Sequence, residues 1–181
     1  MARTDLSILA VTNLKGLMKK EYISPKTADN AVFVTTSDFM PIIEERIATG
    51  HSVELAVRGR SMLPTLKEGR DSVILSPING ELKRYDIPLY RRKNQRYVIH
   101  RIVGISDGKY RLAGDNQYVY EDGIEKGQII AVVTAIKRGG REIPTDSKKH
   151  RLWADFLHNT RFIRFLPIRA VGRLKRGLKR K

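Results

Sequence analysis

The hydroxyl of Ser61 is the leading candidate for covalent chemistry in this chain. Residues 59–66 read Gly-Arg-Ser-Met-Leu-Pro-Thr-Leu and follow an alternating stretch that ends near Val57. A serine on a tight, glycine-flanked turn can present its hydroxyl outward, and neighbouring backbone N–H groups can stabilise an oxyanion. Gly, Ser and Pro are also common in turns without a catalytic role. By itself the motif is therefore consistent with a nucleophile or with an ordinary turn.

A serine nucleophile needs a base, and histidine suits that task. The serine hydroxyl is weakly nucleophilic at neutral pH unless a positioned base takes its proton. An imidazole is largely neutral at pH 7, so it can accept this proton and later return it to a leaving amine. The chain has four histidines and no cysteine, which excludes cysteine nucleophiles, disulfides and zinc–thiolate sites. A histidine in a strand often makes only one structural hydrogen bond, so residue type alone does not identify the base.

Four short motifs, in one order, resemble the type I signal peptidases and their relatives, the self-cleaving SOS repressors. The nucleophile motif of that family reads Gly-x-Ser-Met-x-Pro-Thr-Leu, followed by a Gly-Asp pair and a hydrophobic strand. Residues 59–75 match it, except that Arg70 separates the glycine from the aspartate. Residues 86–91, Asp-Ile-Pro-Leu-Tyr-Arg, resemble the next family strand, with Tyr85 in place of its glycine.

The third and fourth motifs indicate which branch of the family the chain resembles. Residues 98–105 contain His100 followed by Arg101, and residues 114–117 read Gly-Asp-Asn-Gln, similar to the family's Gly-Asp-Asn-Asn. Most bacterial signal peptidases have a lysine at the position of His100, whereas the endoplasmic-reticulum, archaeal and some bacterial forms have a histidine. The chain resembles this histidine type over roughly residues 53–136.

The resemblance implies a serine endopeptidase with Ser61 as nucleophile and His100 as general base. A histidine base also needs a carboxylate that orients the ring and stabilises its protonated form. In histidine-type relatives this acid lies several residues after the fourth motif. Asp122 is therefore the preferred candidate, Glu121 is the second, and Asp115 within the motif is the third.

The same resemblance implies further parts of the site. Gly59 and the backbone N–H of Ser61 are candidates for an oxyanion hole. Met62 either lines the substrate cleft or packs in the core. The implied substrate is a polypeptide with a leader or signal-like segment, and no cofactor or metal is implied. The remaining histidines lack such a context and are predicted to lie at the surface: His51, His150 and His158.

Periodicity predicts the elements that position these residues, in a mainly β, α+β chain. An amphipathic pattern over residues 6–20 predicts a short helix, and a second helix is predicted from Ser37 or Asp38 to Gly50. Alternation then replaces the helical period, and clusters of Gly, Asn and Asp separate the runs, which predicts a compact, mostly antiparallel β domain. The predicted strands are Val53–Val57, Ser72–Leu75, Ile87–Arg91, Tyr97–Ile105, Tyr110–Ala113 and Ile129–Lys137.

These patterns divide the chain into three parts. We predict an N-terminal helical extension over residues 1–50, the catalytic β domain over 51–145 and a basic amphipathic tail over 146–181. The net charge is +16, and residues 148–181 contain 12 Lys and Arg but a single acid, Asp155. Such a tail attracts polyanions, either anionic lipid or nucleic acid.

The tail also carries apolar side chains. Aromatic and aliphatic residues are interspersed with the charges over residues 151–180, and Pro167 divides the segment into two predicted helical halves. This pattern favours an interfacial membrane helix on anionic lipid. A helix docked on the β domain is the alternative, and nucleic-acid binding is the least favoured. No apolar run approaches the ~18 residues of a membrane span, and Leu6–Leu14 is a poor signal peptide. We therefore expect a cytoplasmic protein, or one peripheral on the cytoplasmic face of the membrane.

Two other functions are consistent with the sequence. A self-cleaving, repressor-like regulator would require a helix-turn-helix, which residues 1–50 do not predict, and such regulators prefer a lysine at the position of His100. A non-catalytic peptide- or nucleic-acid-binding relative is favoured by the basic tail and disfavoured by the presence of both Ser61 and His100. Signal peptidases usually have a membrane span before the nucleophile motif, so a cytoplasmic leader peptide or a membrane protein is also a candidate substrate.

Overall fold

The predicted fold class, mainly antiparallel β with additional helices, is confirmed by the computed structural model, which describes residues 8–11 and 36–165. One helix precedes most of the strands and a second helix follows them. The strands are β1 (Ile8–Val11), β2 (Val53–Val57), β3 (Asp71–Ser76), β4 (Pro88–Arg91), β5 (Tyr97–Ile99), β6 (Arg101–Ser106), β7 (Lys109–Ala113), β8 (Glu121–Ile124), β9 (Ile129–Arg138) and β10 (Arg141–Pro144), and the helices are α1 (Thr36–Ala48) and α2 (Lys148–Asn159).

The strands form two antiparallel sheets. The larger sheet has the order β1-β2-β3-β9-β4-β5, with β10 paired to β9, and the smaller has the order β6-β7-β8. In β2 and β3 every second residue is buried, as the alternating sequence predicts, because successive side chains point to opposite faces of a sheet. The buried apolar residues of β2 and β3 belong to the main hydrophobic core.

Helix α1 covers this core. Met40, Ile43 and Ile47 are spaced three and four residues apart, so they lie on one face of the helix, and all three are buried in the core. Gly50 has a φ of 84°, in the left-handed region that favours glycine after a helix end. Its N–H donates to the carbonyl of Ile47. The helix predicted in this part of the chain is confirmed.

The helix predicted over residues 6–20 is wrong in its first part. Ile8–Val11 forms β1, which pairs with β2 in antiparallel register, with Val11 opposite Leu55. A run of four apolar residues is consistent with either a helix or a strand. Here the edge of β2 supplies hydrogen-bond partners for the backbone of residues 8–11, and this pairing favours the strand. The rest of that predicted helix lies outside the described residues.

The strand predicted over Tyr97–Ile105 is divided into two. β5 belongs to the larger sheet and β6 to the smaller one, and His100 is the residue between them. β8 and β10 were not predicted from the sequence, and both are short. The division places His100 at the junction of the two sheets.

Helix α2 packs on the β structure through part of its surface. Ser147 caps its N-terminus by accepting the N–H of His150, and the buried residues of the helix are His150, Ala154 and Leu157. Residues 161–165 continue in helical conformation after Thr160. Across residues 8–11 and 36–165, no helix combines the length and the apolar character needed to cross a membrane.

Candidate active site

The turn that carries Ser61 is held by a neighbouring loop. The carbonyl of Ser61 accepts the N–H of Asn116 at 2.7 Å, and the Asn116 side chain donates to the carbonyl of Arg60 at 3.2 Å. A Cβ at Gly114 would lie 2.5 Å from the Ser61 carbonyl oxygen, so only glycine permits this approach. The fourth sequence motif, residues 114–117, thus fixes the backbone of the nucleophile motif.

His100 lies within hydrogen-bond reach of Ser61. Its Nε2 is 3.2 Å from Ser61 Oγ, although the two residues are 39 positions apart in the chain. The Ser61 residue is 3% exposed and His100 is fully buried. A base at this distance can accept the serine proton directly.

Glu121 is the carboxylate that contacts His100. The Nδ1 of His100 is 3.0 Å from Glu121 Oε1. Arg92 binds the same carboxylate through both oxygens, with Nε 2.7 Å from Oε2 and Nη2 2.5 Å from Oε1. Burial opposes ionisation of Glu121, but hydrogen bonds from His100 and Arg92 outweigh it and lower the pKa of Glu121 to about 2. At neutral pH the carboxylate is charged and lies beside Nδ1, while Nε2 faces Ser61.

Tyr90 and Arg92 complete the environment of the acid, and both were missed by the sequence analysis. The Tyr90 hydroxyl is 3.2 Å from His100 Nδ1. Burial, with the nearby charge of Glu121, raises the pKa of Tyr90, so the hydroxyl stays protonated. Tyr90 lies in the second motif, but successive strand residues point to opposite faces of the sheet, and the motif does not show which of them faces His100.

The preference for Asp122 is corrected by the structure. Asp122 pairs with Arg111, and both side chains are more than half exposed, away from His100. Glu121 and Asp122 are adjacent in β8, so their side chains point to opposite faces of the strand. Only one of the two can face the imidazole, and it is Glu121.

Asp115 is a structural residue here and is not a partner of His100. Arg101 donates to both its oxygens at 2.8 and 2.7 Å, and Thr65 donates at 2.5 Å. Asp115 and Arg101 are almost completely buried, at 4% and 1% exposure. Burial opposes ionisation of Asp115, but the charge and hydrogen bonds of Arg101 outweigh it and lower its pKa. This ion pair ties the loop that holds Ser61 to the strand that follows His100.

Of the two predicted oxyanion donors, one is already occupied. Gly59 N–H donates to Glu68 Oε2 at 2.9 Å, so it does not form an oxyanion hole in this structure. The N–H of Ser61 donates to no acceptor among the described residues, and it is the remaining candidate. Met62 is fully buried in the main core, so it packs there and does not line a cleft.

No family model and no curated protein matches the chain. The resemblance to the histidine-type signal peptidases therefore rests on the four motifs. Across the described residues, no group of three or more His, Asp or Glu side chains is placed to hold a metal ion.

His150 is buried at 6% exposure, so its predicted surface location is wrong. Its Nε2 accepts a hydrogen bond from Arg101 Nη1 at 3.2 Å, which requires the imidazole to be neutral. Burial, followed by the charge of Arg101, lowers the pKa of His150 to about 4. The side chain thus joins α2 to the buried Arg101–Asp115 pair.

Acidification is expected to weaken the fold through His150. Between the unfolded value of ~6.5 and the folded pKa of about 4, the unfolded chain binds a proton that the folded chain does not. Stability is therefore lost as the pH falls through this window, by an amount on the order of 2–3 kcal/mol. Urea unfolding at pH 7 and pH 4 should show this extra loss for the native chain relative to His150→Gln. Equal pH dependence of the two would contradict it, and replacement of the exposed His51 by Gln is the matched control.

Proposed function

We propose that this chain is a serine endopeptidase that uses Ser61, His100 and Glu121. The observation that carries the proposal is the continuous series of contacts from Ser61 Oγ to His100 Nε2 at 3.2 Å and from His100 Nδ1 to Glu121 Oε1 at 3.0 Å. Three residues distant in sequence meet in the order nucleophile, base and acid, which is how such triads are recognised on unrelated folds. The four motifs support the same assignment.

In the proposed reaction, His100 removes the proton of Ser61 as Oγ attacks the carbonyl carbon of the scissile peptide bond. The resulting oxyanion is stabilised by the N–H of Ser61. His100 then gives its proton to the leaving amine, and an acyl-enzyme forms on Ser61. A water molecule, activated by the same imidazole, hydrolyses this ester. Glu121 remains charged throughout and stabilises the transient imidazolium.

The proposed substrate is an extended leader or signal-like segment of a polypeptide. Ser61 is only 3% exposed. A scissile peptide bond can therefore reach Oγ only if it belongs to a narrow, extended and flexible segment of the substrate. A folded protein surface would not fit such an approach. We further propose that the protein acts in the cytoplasm or on the cytoplasmic face of a membrane, because its net charge of +16 suits the anionic cytoplasmic leaflet.

A fluorophosphonate probe tests the proposal without knowledge of the substrate. Such a probe phosphonylates a serine only when a base activates it, so the label should appear on the tryptic peptide of residues 61–67. Ser61→Ala and His100→Gln chains should remain unlabelled. The control is Ser52→Ala, which removes an exposed serine that bonds to Ser76 and should not change labelling. A folded native chain that takes up no label, or a Ser61→Ala chain labelled equally, would refute the assignment.

A further inference from the structure

The C-terminal helical segment has a second apolar surface whose side chains are largely exposed. Five of the eight exposed large hydrophobic side chains of the described residues fall within residues 152–163. We call this set the outer face, and it consists of Leu152 (71% exposed), Trp153 (40%), Phe156 (55%), Phe162 (61%) and Ile163 (68%).

The outer face is distinct from the surface that holds the segment on the β structure. The inward side is formed by His150, Ala154 and Leu157 of α2 together with Arg161 and Phe165, which are all buried. The segment is thus packed mainly through this side, and Trp153 of the outer face adds a hydrogen bond to the β structure. A concentrated exposed apolar surface of this kind marks an interaction site.

Trp153 fixes the position of the outer face relative to the domain. Its indole N–H donates to Thr65 Oγ1 at 3.2 Å, and its ring stacks on Phe156 with the centroids 5.8 Å apart. One edge of the ring is therefore anchored to the β structure while the rest contributes to the exposed surface. This arrangement presents the aromatic pair without further folding.

Basic residues precede and follow the outer face in the sequence. Lys148 and Lys149 are exposed at the start of α2, and the sequence after the segment, residues 166–181, contains seven Lys and Arg and no acid. Basic residues beside an exposed apolar helix face are the pattern of interfacial membrane helices. Each Lys or Arg near an anionic lipid surface contributes ~1 kcal/mol to binding.

We infer that the outer face docks on an anionic lipid membrane, with Leu152, Trp153 and Ile163 entering the headgroup region. A nucleic acid fits less well, because the two most exposed members, Leu152 and Ile163, are aliphatic and cannot stack on bases. A second copy of the chain carries the same positive charge and would be repelled. The inference is independent of the proposed peptidase activity.

Trp153 is the only tryptophan, so its fluorescence reports on this face directly. The Ser61→Ala chain of residues 1–181 is titrated with vesicles of equal parts phosphatidylcholine and phosphatidylglycerol, and with phosphatidylcholine alone. The expected result with the anionic vesicles is a blue shift of the emission and quenching by brominated acyl chains. Binding to neutral vesicles should be at least ~10-fold weaker, and salt should weaken the anionic binding.

A pair of variants distinguishes docking by this face from general adhesion of a basic protein. The double change Leu152→Ser and Ile163→Ser should weaken vesicle binding at least ~10-fold, since it removes two side chains that would be buried in lipid. Ile105→Ser is the control, because Ile105 is 48% exposed but lies in β6. Circular dichroism checks that all chains are folded.

Several outcomes would overturn the inference. These are an unchanged Trp153 emission with anionic vesicles, equal loss of binding in the Ile105→Ser control, and a response of Trp153 to a single-stranded oligonucleotide that exceeds its response to vesicles. Self-association of the chain that disappears in the double variant would likewise assign the face to a second copy. None of these outcomes depends on Ser61, so the test fails or succeeds separately from the peptidase proposal.

Discussion

Ser61→Ala and His100→Gln are each expected to lower kcat/KM for peptide cleavage by at least ~10⁴-fold, and the double variant should be no worse than either single one. Ser61 supplies the attacking oxygen and His100 its base, so the loss of either abolishes the same step. His100 is completely buried, and glutamine fills most of its volume, so the fold should be retained. Thermal unfolding of each variant checks this.

The measurement begins by identifying the substrate. The N-terminal peptides of cells that contain the native chain are compared with those of cells that contain Ser61→Ala, and a synthetic peptide that spans the cleaved bond is then used for kinetics. His51→Gln serves as the control, because His51 is exposed and its ring contacts Thr49. If the losses in the two single variants multiplied in the double variant, the two side chains would act independently, and the proposed dyad would be wrong.

Glu121→Gln is expected to lower kcat by roughly 10³-fold or more, whereas Asp122→Asn should leave it within about twofold of the native value. Glutamine removes the charge that stabilises the imidazolium. Its amide can also donate to Nδ1, which would place the imidazole proton on Nε2, where it faces Ser61. Asp122 pairs with the exposed Arg111, and surface pairs of this kind contribute little.

This pair of variants is closely matched, because the two acids are neighbours in one strand and each change converts a carboxylate to its amide. KM should change little, since Glu121 contacts His100 and is not proposed to contact the substrate. Thermal unfolding separates a catalytic loss from one caused by weakening of the Glu121–Arg92 ion pair. A large loss of activity in Asp122→Asn, or native activity in a folded Glu121→Gln chain, would contradict the assignment of the acid.

Much of the fold could be predicted because it depends on local periodicity. Alternation over Val53–Val57 and Ser72–Leu75 requires only that one strand face be buried, and both strands are present. The helix that ends before Gly50 was predicted from apolar spacing and a glycine stop. The pattern at Ile8–Val11 was ambiguous, because four apolar residues satisfy either period, and pairing with β2 decided it.

The acidic member of the site could not be predicted in the same way. β8 reads Glu-Asp-Gly-Ile and has one buried residue, Ile124, so no alternation indicates which carboxylate faces inward. Pairing with β7, in which Leu112 lies opposite Glu121, sets that orientation. Likewise, no sequence pattern shows that Glu68 occupies the amide of Gly59, because that contact joins residues nine positions apart across a turn.

The sequence by itself determined that the chain is mainly β and that Ser61 and His100 are the residues to examine, since motif spacing and strand alternation are local properties. The tertiary structure alone decided that Glu121 faces His100, that Asp115 holds Arg101, and that one side of α2 is buried while the other is exposed. These features are contacts between distant segments, and the pairing and packing of the sheets determine them. The hydroxyl of Ser61 lies beside a base and an acid because the two sheets meet at His100.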